Sequence, residues 1–147
     1  MTVSDVSEGA LSLDRPAPPA PTVDVDSEGF WAAAREGYLA LCRCQACGAW
    51  LQPPLERCRH CAGPTAFERA AGTGTVHSYI VVHHPSVPAF ADELPYVIAL
   101  VELDEGVRLP GRVVDAAGPE VEIGARVHAE VVDVPGATER AVVFRLD

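Results

Sequence analysis

The chain has 147 residues, 48% of them hydrophobic, with 21 acidic against 11 basic residues and a formal net charge of −10. This suffices for one core plus a small appendage, and the charge argues against nonspecific binding to nucleic acid or anionic membrane. Every basic residue is arginine, which excludes a lysine Schiff base and a P-loop lysine. No run of about 18 apolar residues exists to span a bilayer. The N-terminus has acids and prolines where a signal peptide needs basic and then apolar residues, so a soluble, cytoplasmic protein is expected.

Residues 1–26 read as a disordered acidic arm. Pro16, Pro18, Pro19 and Pro21 interrupt regular structure, and five acids face only Arg15. FWAAAREG then predicts a short helix over 28–36. Ser27 is its expected N-cap, Glu28 lies in the first turn and Gly37 takes the C′ position. Phe30, Ala33, Ala34 and Tyr38 form one apolar stripe with Trp31 beside it. A helix this short needs docking; its own domain is the first expectation, insertion of the aromatics into a partner the second.

All five cysteines fall within CRCQACGAWLQPPLERCRHCAG, residues 42–63. Cys44-x2-Cys47 and Cys58-x2-Cys61 are two CxxC turns that can bring four sulfurs around one ion. A closed four-thiolate set matches structural zinc, since it leaves no position for a reactive water. Gly48 follows the first pair, where positive φ lets backbone N–H groups turn toward the sulfurs, and Arg43, Arg57 and Arg59 lie near enough to offset the anionic centre. Two disulfides conflict with a reducing compartment, and a rubredoxin-type iron centre would use the same four thiolates. Cys42 stands outside the set and reads as a small buried hydrophobe. His60, inside the second turn, reads as exposed.

Past the cysteines, turns and β-branched runs predict five strands: 75–84, 95–103, 107–115, 126–134 and 140–147. Alternation puts Val76, Ile80 and Val82 on one face of the first. Val97, Ala99, Val101 and Leu103 share a face of the second, and Val142, Phe144 and Leu146 a face of the last. The DEG at 104–106 is a tight-turn signal. Five closely spaced strands fit a closed oligonucleotide/oligosaccharide-binding (OB) barrel, with a sandwich as the alternative.

The doublet His83-His84 is the one cluster of imidazoles, but a strand sends its two rings to opposite faces, so surface positions are expected. His77 and His128 read as isolated. No GxSxG, HExxH, GxGxxG or P-loop pattern occurs. Residues 72–147 carry five arginines against twelve acids, the wrong balance for the single strands that OB barrels often bind.

The order of parts, an FWAAAREG helix, YLALCRCQACGAWLQPP, a second CxxC, GTGTVHSYIVVHHP, PYVIALVELDEGVRLPGRVVD and EIGARV, resembles the acyl-CoA-associated OB-fold family with a rubredoxin-like zinc ribbon, domain of unknown function 35. The likeness covers about residues 28–147, with Ala62 where a glycine often follows the second CxxC. It implies a mainly β protein: an arm at 1–26, a helix and lead-in strand at 27–41, a zinc ribbon at 42–66 and a five-stranded barrel at 67–147. It further implies Cys44, Cys47, Cys58 and Cys61 as ligands of a structural Zn²⁺, no catalytic residues, and a hetero-oligomer with a thiolase-like enzyme. Acyl-CoA would then lie at the shared site, in steroid side-chain or other lipid degradation. Alternative partners are a MaoC-like enoyl-CoA hydratase and a ketoacyl-CoA synthase or acyltransferase. Competing readings are a small acyl-CoA hydrolase or lyase using His83 or His84, and a single-stranded nucleic-acid-binding module.

Overall fold

The computed structural model describes residues 16–147; the expected arm falls outside the described residues up to position 15. Residues 16–26 run without helix or strand, and a Cβ at Gly136 would sit 3.6 Å from Pro18, which places this stretch beside the last hairpin loop.

Helix α1 spans Glu28–Glu36. Ser27 holds the N-cap position but makes no side-chain cap, contrary to expectation. Its φ of −104° and ψ of −6° are helical rather than the extended geometry a cap uses. Asp24 instead captures it: Asp24 Oδ1 accepts from the Ser27 N–H at 2.9 Å and from its hydroxyl at 2.8 Å. The other end follows the sequence, with Gly37 at φ +97°. The Gly37 and Tyr38 N–H groups donate to the carbonyls of Ala34 and Ala33 at 3.0 and 3.1 Å, the pairing of a Schellman motif. Ala33 and Ala34 are buried, and Phe30 packs on the main core. A Cβ at Gly29 would lie 2.2 Å from the Phe67 ring, so the helix meets the sheet below it at a glycine. Arg35 donates to Glu139 at 2.9 and 2.5 Å. The helix is thus docked on its own chain.

Three short strands, β1 (Ala40–Cys44), β2 (Trp50–Leu51) and β3 (Thr65–Arg69), form an antiparallel sheet with β1 central. Alternation along β1 joins two cores. Leu39 and Leu41 belong to the cluster that fills the barrel, whereas Cys42 and Cys44 belong to a second cluster with Leu51 and Cys58.

The remaining strands are β4 (Thr73–Val82), β5 (Tyr96–Leu103), β6 (Arg108–Val113), β7 (Arg126–Val132) and β8 (Ala141–Leu146), with a 3-10 helix at Pro88–Glu93. They close in the order β4-β5-β6-β8-β7, and antiparallel pairing of β4 with β7 completes the ring. A closed barrel, not a sandwich, is therefore formed. The β6 and β8 pair is parallel, with Val113 opposite Phe144. Val97, Ala99, Val101 and Leu103 all face inward as their alternation predicts, joined by Phe144 with no exposed surface. A Cβ at Gly111 would fall 2.7 Å from the Phe144 ring, so the glycine makes room for it. At the DEG turn, Glu105 accepts the Ala71 N–H at 2.8 Å, which ties the β5–β6 hairpin to the junction between the small sheet and the barrel.

Strand β4 departs from simple alternation. A bulge between Val76 and Ser78 shifts its register on β5, and one extra residue turns every later side chain to the opposite face. Val76 is 1% exposed, but Ile80 is 61% exposed and stands opposite Ile98 on the outside. Val76, Ile80 and Val82 do not share a face. Tyr79 and Val81 take the inward places and pack on the core.

Candidate metal centre

The four cysteines of the two CxxC turns converge. Their sulfurs lie within 4.8 Å of one another, and among the described residues they are the one cluster of three or more Cys, His, Asp or Glu side chains placed to hold a metal ion. The Cys44 and Cys61 sulfurs are 3.5 Å apart, and those of Cys47 and Cys58 are 3.7 Å apart. Tetrahedral zinc with bonds near 2.3 Å sets its sulfurs about 3.8 Å from each other; a disulfide needs about 2.05 Å. The donor set fits the ion, and all five cysteines are free thiols.

The backbone builds this geometry twice. In the first turn, the N–H groups of Ala46 and Cys47 donate to Cys44 Sγ at 3.3 Å. In the second, the His60 N–H donates to Cys58 Sγ at 3.3 Å. Gly48, at φ +77°, returns its N–H to the Cys44 carbonyl at 3.1 Å. Ala62 occupies the equivalent place, with φ +60° and its N–H on the Cys58 carbonyl at 2.8 Å. The second turn thus asks a residue with a Cβ to adopt the left-handed region. Gly63 completes the cage: a Cβ there would stand 3.2 Å from the sulfurs of both Cys44 and Cys61.

These contacts act on the thiols. The Cys47 N–H, followed by that of Ala46, brings the Cys44 thiol down to about 6, while at Cys47 the lowering effect of the Ala49 N–H is outweighed by the sulfurs of Cys44, Cys61 and Cys58, which push that thiol up to about 11. A first thiolate is thus favoured at Cys44, and the others form as the ion binds. Cys44 and Cys58 are buried while Cys47 and Cys61 are exposed. The centre therefore lies at the tip of the small sheet, with two sulfurs inward and two outward.

Cys42 is buried, with its thiol 3.5 Å from the Leu55 carbonyl, a packing residue outside the sulfur set. Arg43 stacks 4.6 Å over Trp50, donates to the Gly48 carbonyl at 2.9 Å and pairs with Glu68 at 3.3 Å. His60 is exposed, as are His83 and His84 just beyond β4. Two histidines that read as isolated have partners. His77 lies 3.8 Å from Glu102. His128 has Asp147 2.6 Å from Nδ1 and Glu130 3.3 Å from Nε2. Residues 128 and 130 share a face of β7 by period two, a signal that was available; Asp147 follows the adjoining strand β8 and left none.

Comparison with known proteins agrees with this architecture. The family model of the ChsH2 rubredoxin-like zinc ribbon domain matches residues 31–68, and that of the ChsH2 C-terminal OB-fold domain matches residues 67–132. The chain is 45% identical over 113 residues to a probable enoyl-CoA hydratase alpha subunit of Thermomonospora curvata, covering 74% of this chain and 34% of that protein. It is 36% identical over 124 residues to the 3-oxo-4,17-pregnadiene-20-carboxyl-CoA hydratase alpha subunit of Mycobacterium tuberculosis, covering 84% and 39%. This chain thus spans between about a third and two fifths of those relatives. A solved structure described as the Ltp2-ChsH2(DUF35) aldolase superposes with a TM-score of 0.77 at 41% identity, covering 86% of this chain and 98% of that one. With its zinc-ribbon sheet, its four converging cysteines and its five-stranded OB barrel, the chain belongs to the ChsH2/DUF35 family.

Proposed function

We propose that this chain is a non-catalytic subunit that docks on and supports a thiolase-superfamily enzyme of the lipid-transfer type acting on acyl-CoA, with steroid side-chain degradation as its setting. The observation that carries the reading is the likeness to the chain of the Ltp2-ChsH2(DUF35) aldolase over nearly that chain's whole length. Cys44, Cys47, Cys58 and Cys61 then serve as ligands of a structural zinc, which holds the small sheet rigid, and the barrel helps to shape an acyl-CoA site shared with the partner. A four-thiolate centre has no open position for water or substrate. His83 and His84 are exposed, which does not favour a self-contained hydrolase or lyase.

Nucleic acid is disfavoured by charge pairing. All five arginines of residues 72–147 lie within 4.0 Å of a carboxylate: Arg108 by Glu102, Arg112 by Glu93, Arg126 by Asp104, Arg140 by Asp133 and Arg145 by Glu130. A phosphate backbone would have to displace these partners. No described helix is long and apolar enough to cross a membrane.

A second reading, service to a MaoC-like enoyl-CoA hydratase, is favoured by the names of the two hydratase alpha subunits. The two part company in one experiment: the purified chain is mixed with Ltp2 or with a MaoC-like hydratase and resolved by size-exclusion chromatography. Joint elution with Ltp2 supports the proposal. Joint elution with the hydratase alone replaces it by the second reading, and separate elution from both refutes both.

A further inference from the structure

The outside of the barrel is not uniformly polar. Cross-strand pairing sets Ser78, Leu100 and Pro110 in one row, Ile80, Ile98 and Arg112 in the next, and Val82 with Tyr96 in a third. Their inward-facing neighbours Val97, Ala99, Val101 and Val113 are buried, so these rows form the opposite, outward face. An antiparallel sheet with one face in water ordinarily carries polar residues there. Here Ile80 is 61% exposed, and Ile98, Leu100, Val82 and Tyr96 are only partly covered. The β4 bulge is the cause. Without it, Ile80 and Val82 would face inward with Val76.

The patch continues into a groove. Phe90 of the 3-10 helix meets the Tyr96 ring edge-on at 6.3 Å, and Arg112 lies 4.8 Å over the same ring while pairing with Glu93 at 3.2 Å. Tyr96, Ile98 and Arg112 line this groove together with Val142 and Val132. Toward the other end the face turns polar, with Glu102 near both Arg108 and His77. An apolar centre with an aromatic and an arginine, bounded by charged groups, has the make-up of a protein interface.

Area and charge decide the occupant. The eight residues of these three rows, at spacings of about 4.8 Å across and about 6.8 Å along, cover roughly 260 Å². A standard interface takes about 800 Å² from each partner. The patch is therefore the centre of a larger contact, which must extend over a surface whose chain carries 21 acids and a net charge of −10. A second copy would bring the same excess of negative charge against it; a different protein with a positively charged rim meets complementary charge.

We infer that the outer face of β4, β5 and β6, centred on Ile80 and Ile98, is the docking surface for a heterologous protein partner with a basic rim. The assignment rests on the proposed function, which supplies the partner.

Ltp2 is the probe, and affinity for it is measured by biolayer interferometry with the wild-type chain, Ile80→Asp and Ile123→Asp. Ile123 is also largely exposed, but it lies in the loop before β7 and serves as the control. Both side chains are in water, so unchanged thermal melts are expected and verify folding. The inference predicts at least tenfold weaker binding for Ile80→Asp and wild-type binding for Ile123→Asp. Equal binding by all three chains overturns the docking surface while leaving the proposed function standing. No binding by the wild-type chain overturns both. Concentration-dependent self-association of the chain alone, abolished by Ile80→Asp, replaces the heterologous partner by a second copy.

Discussion

Ala62→Gly should tighten the metal centre. Ala62 sits at φ +60°, where an L-residue with a Cβ is disfavoured by about 1–2 kcal/mol. Glycine removes that penalty but adds about 0.5–1 kcal/mol of backbone entropy to the unfolded chain. The difference is a net gain of about 0.5–1 kcal/mol. In a small metal-bound unit, folding and metal binding are the same transition, and 1.4 kcal/mol is a factor of ten in affinity, so zinc should bind about two- to fivefold more tightly. Competition against a chromophoric chelator at fixed pH measures this directly. The mirror substitution is Gly48→Ala, at φ +77° in the first turn. Its Cβ would be 3.7 Å from the Arg43 guanidinium, an ordinary contact, so any loss there reflects backbone strain rather than collision. It should weaken zinc by a similar or larger factor. If Ala62→Gly leaves affinity unchanged or lowers it, the second turn stores no such strain and the reasoning fails.

Three further outcomes follow from the packing and the charges. Gly63→Ala should lower zinc affinity at least tenfold in the same competition assay, because the new methyl would lie 2.7 Å from the Ala46 Cβ and 3.2 Å from two sulfurs. Phe144→Ala removes a fully buried ring from the barrel and should cost about 3–5 kcal/mol in denaturant unfolding. It should leave the chelator titration of the ribbon nearly unchanged if the barrel remains folded at the assay temperature. His128 has its pKa raised, first by Asp147 and then by Glu130. Its contribution to stability is therefore present in full below the unfolded value of about 6.5 and is lost as pH rises through the higher folded value. Thermal melts across that interval should show a decline in the wild-type chain that His128→Asn flattens; parallel profiles would remove His128 as the cause. The side chain is 38% exposed, so solvent screening keeps the effect small.

The cysteine block was legible because two short turns around one ion leave a local signature: spacing alone assigned the four sulfurs that converge. The barrel strands were legible for a similar reason, since β-branched runs between glycine and proline turns mark their places. Face assignment failed where spacing was interrupted. Nothing in VHSYIVV announces a bulge at His77, and the resulting slip sent Ile80 outward although its pattern matched a core residue. The small sheet was only half visible, because β2 has two residues and β3 joins β1 across twenty intervening positions. Ser27 illustrates a local competition: its cap signal was correct in type, but Asp24 three residues earlier took the hydroxyl. The Asp147 contact of His128 is set by pairing between β7 and β8, which no local pattern encodes.

If the chain lends structure rather than chemistry to an acyl-CoA enzyme, as proposed, the enzyme should depend on it for speed. The direct measurement is cleavage of an aldol acyl-CoA substrate by Ltp2 alone, by this chain alone and by the two together. No turnover is expected from this chain alone and markedly faster turnover from the pair than from Ltp2 alone, an enhancement lost when Cys58→Ser opens the zinc centre. Turnover by the isolated chain, or an Ltp2 rate indifferent to its presence, would contradict it.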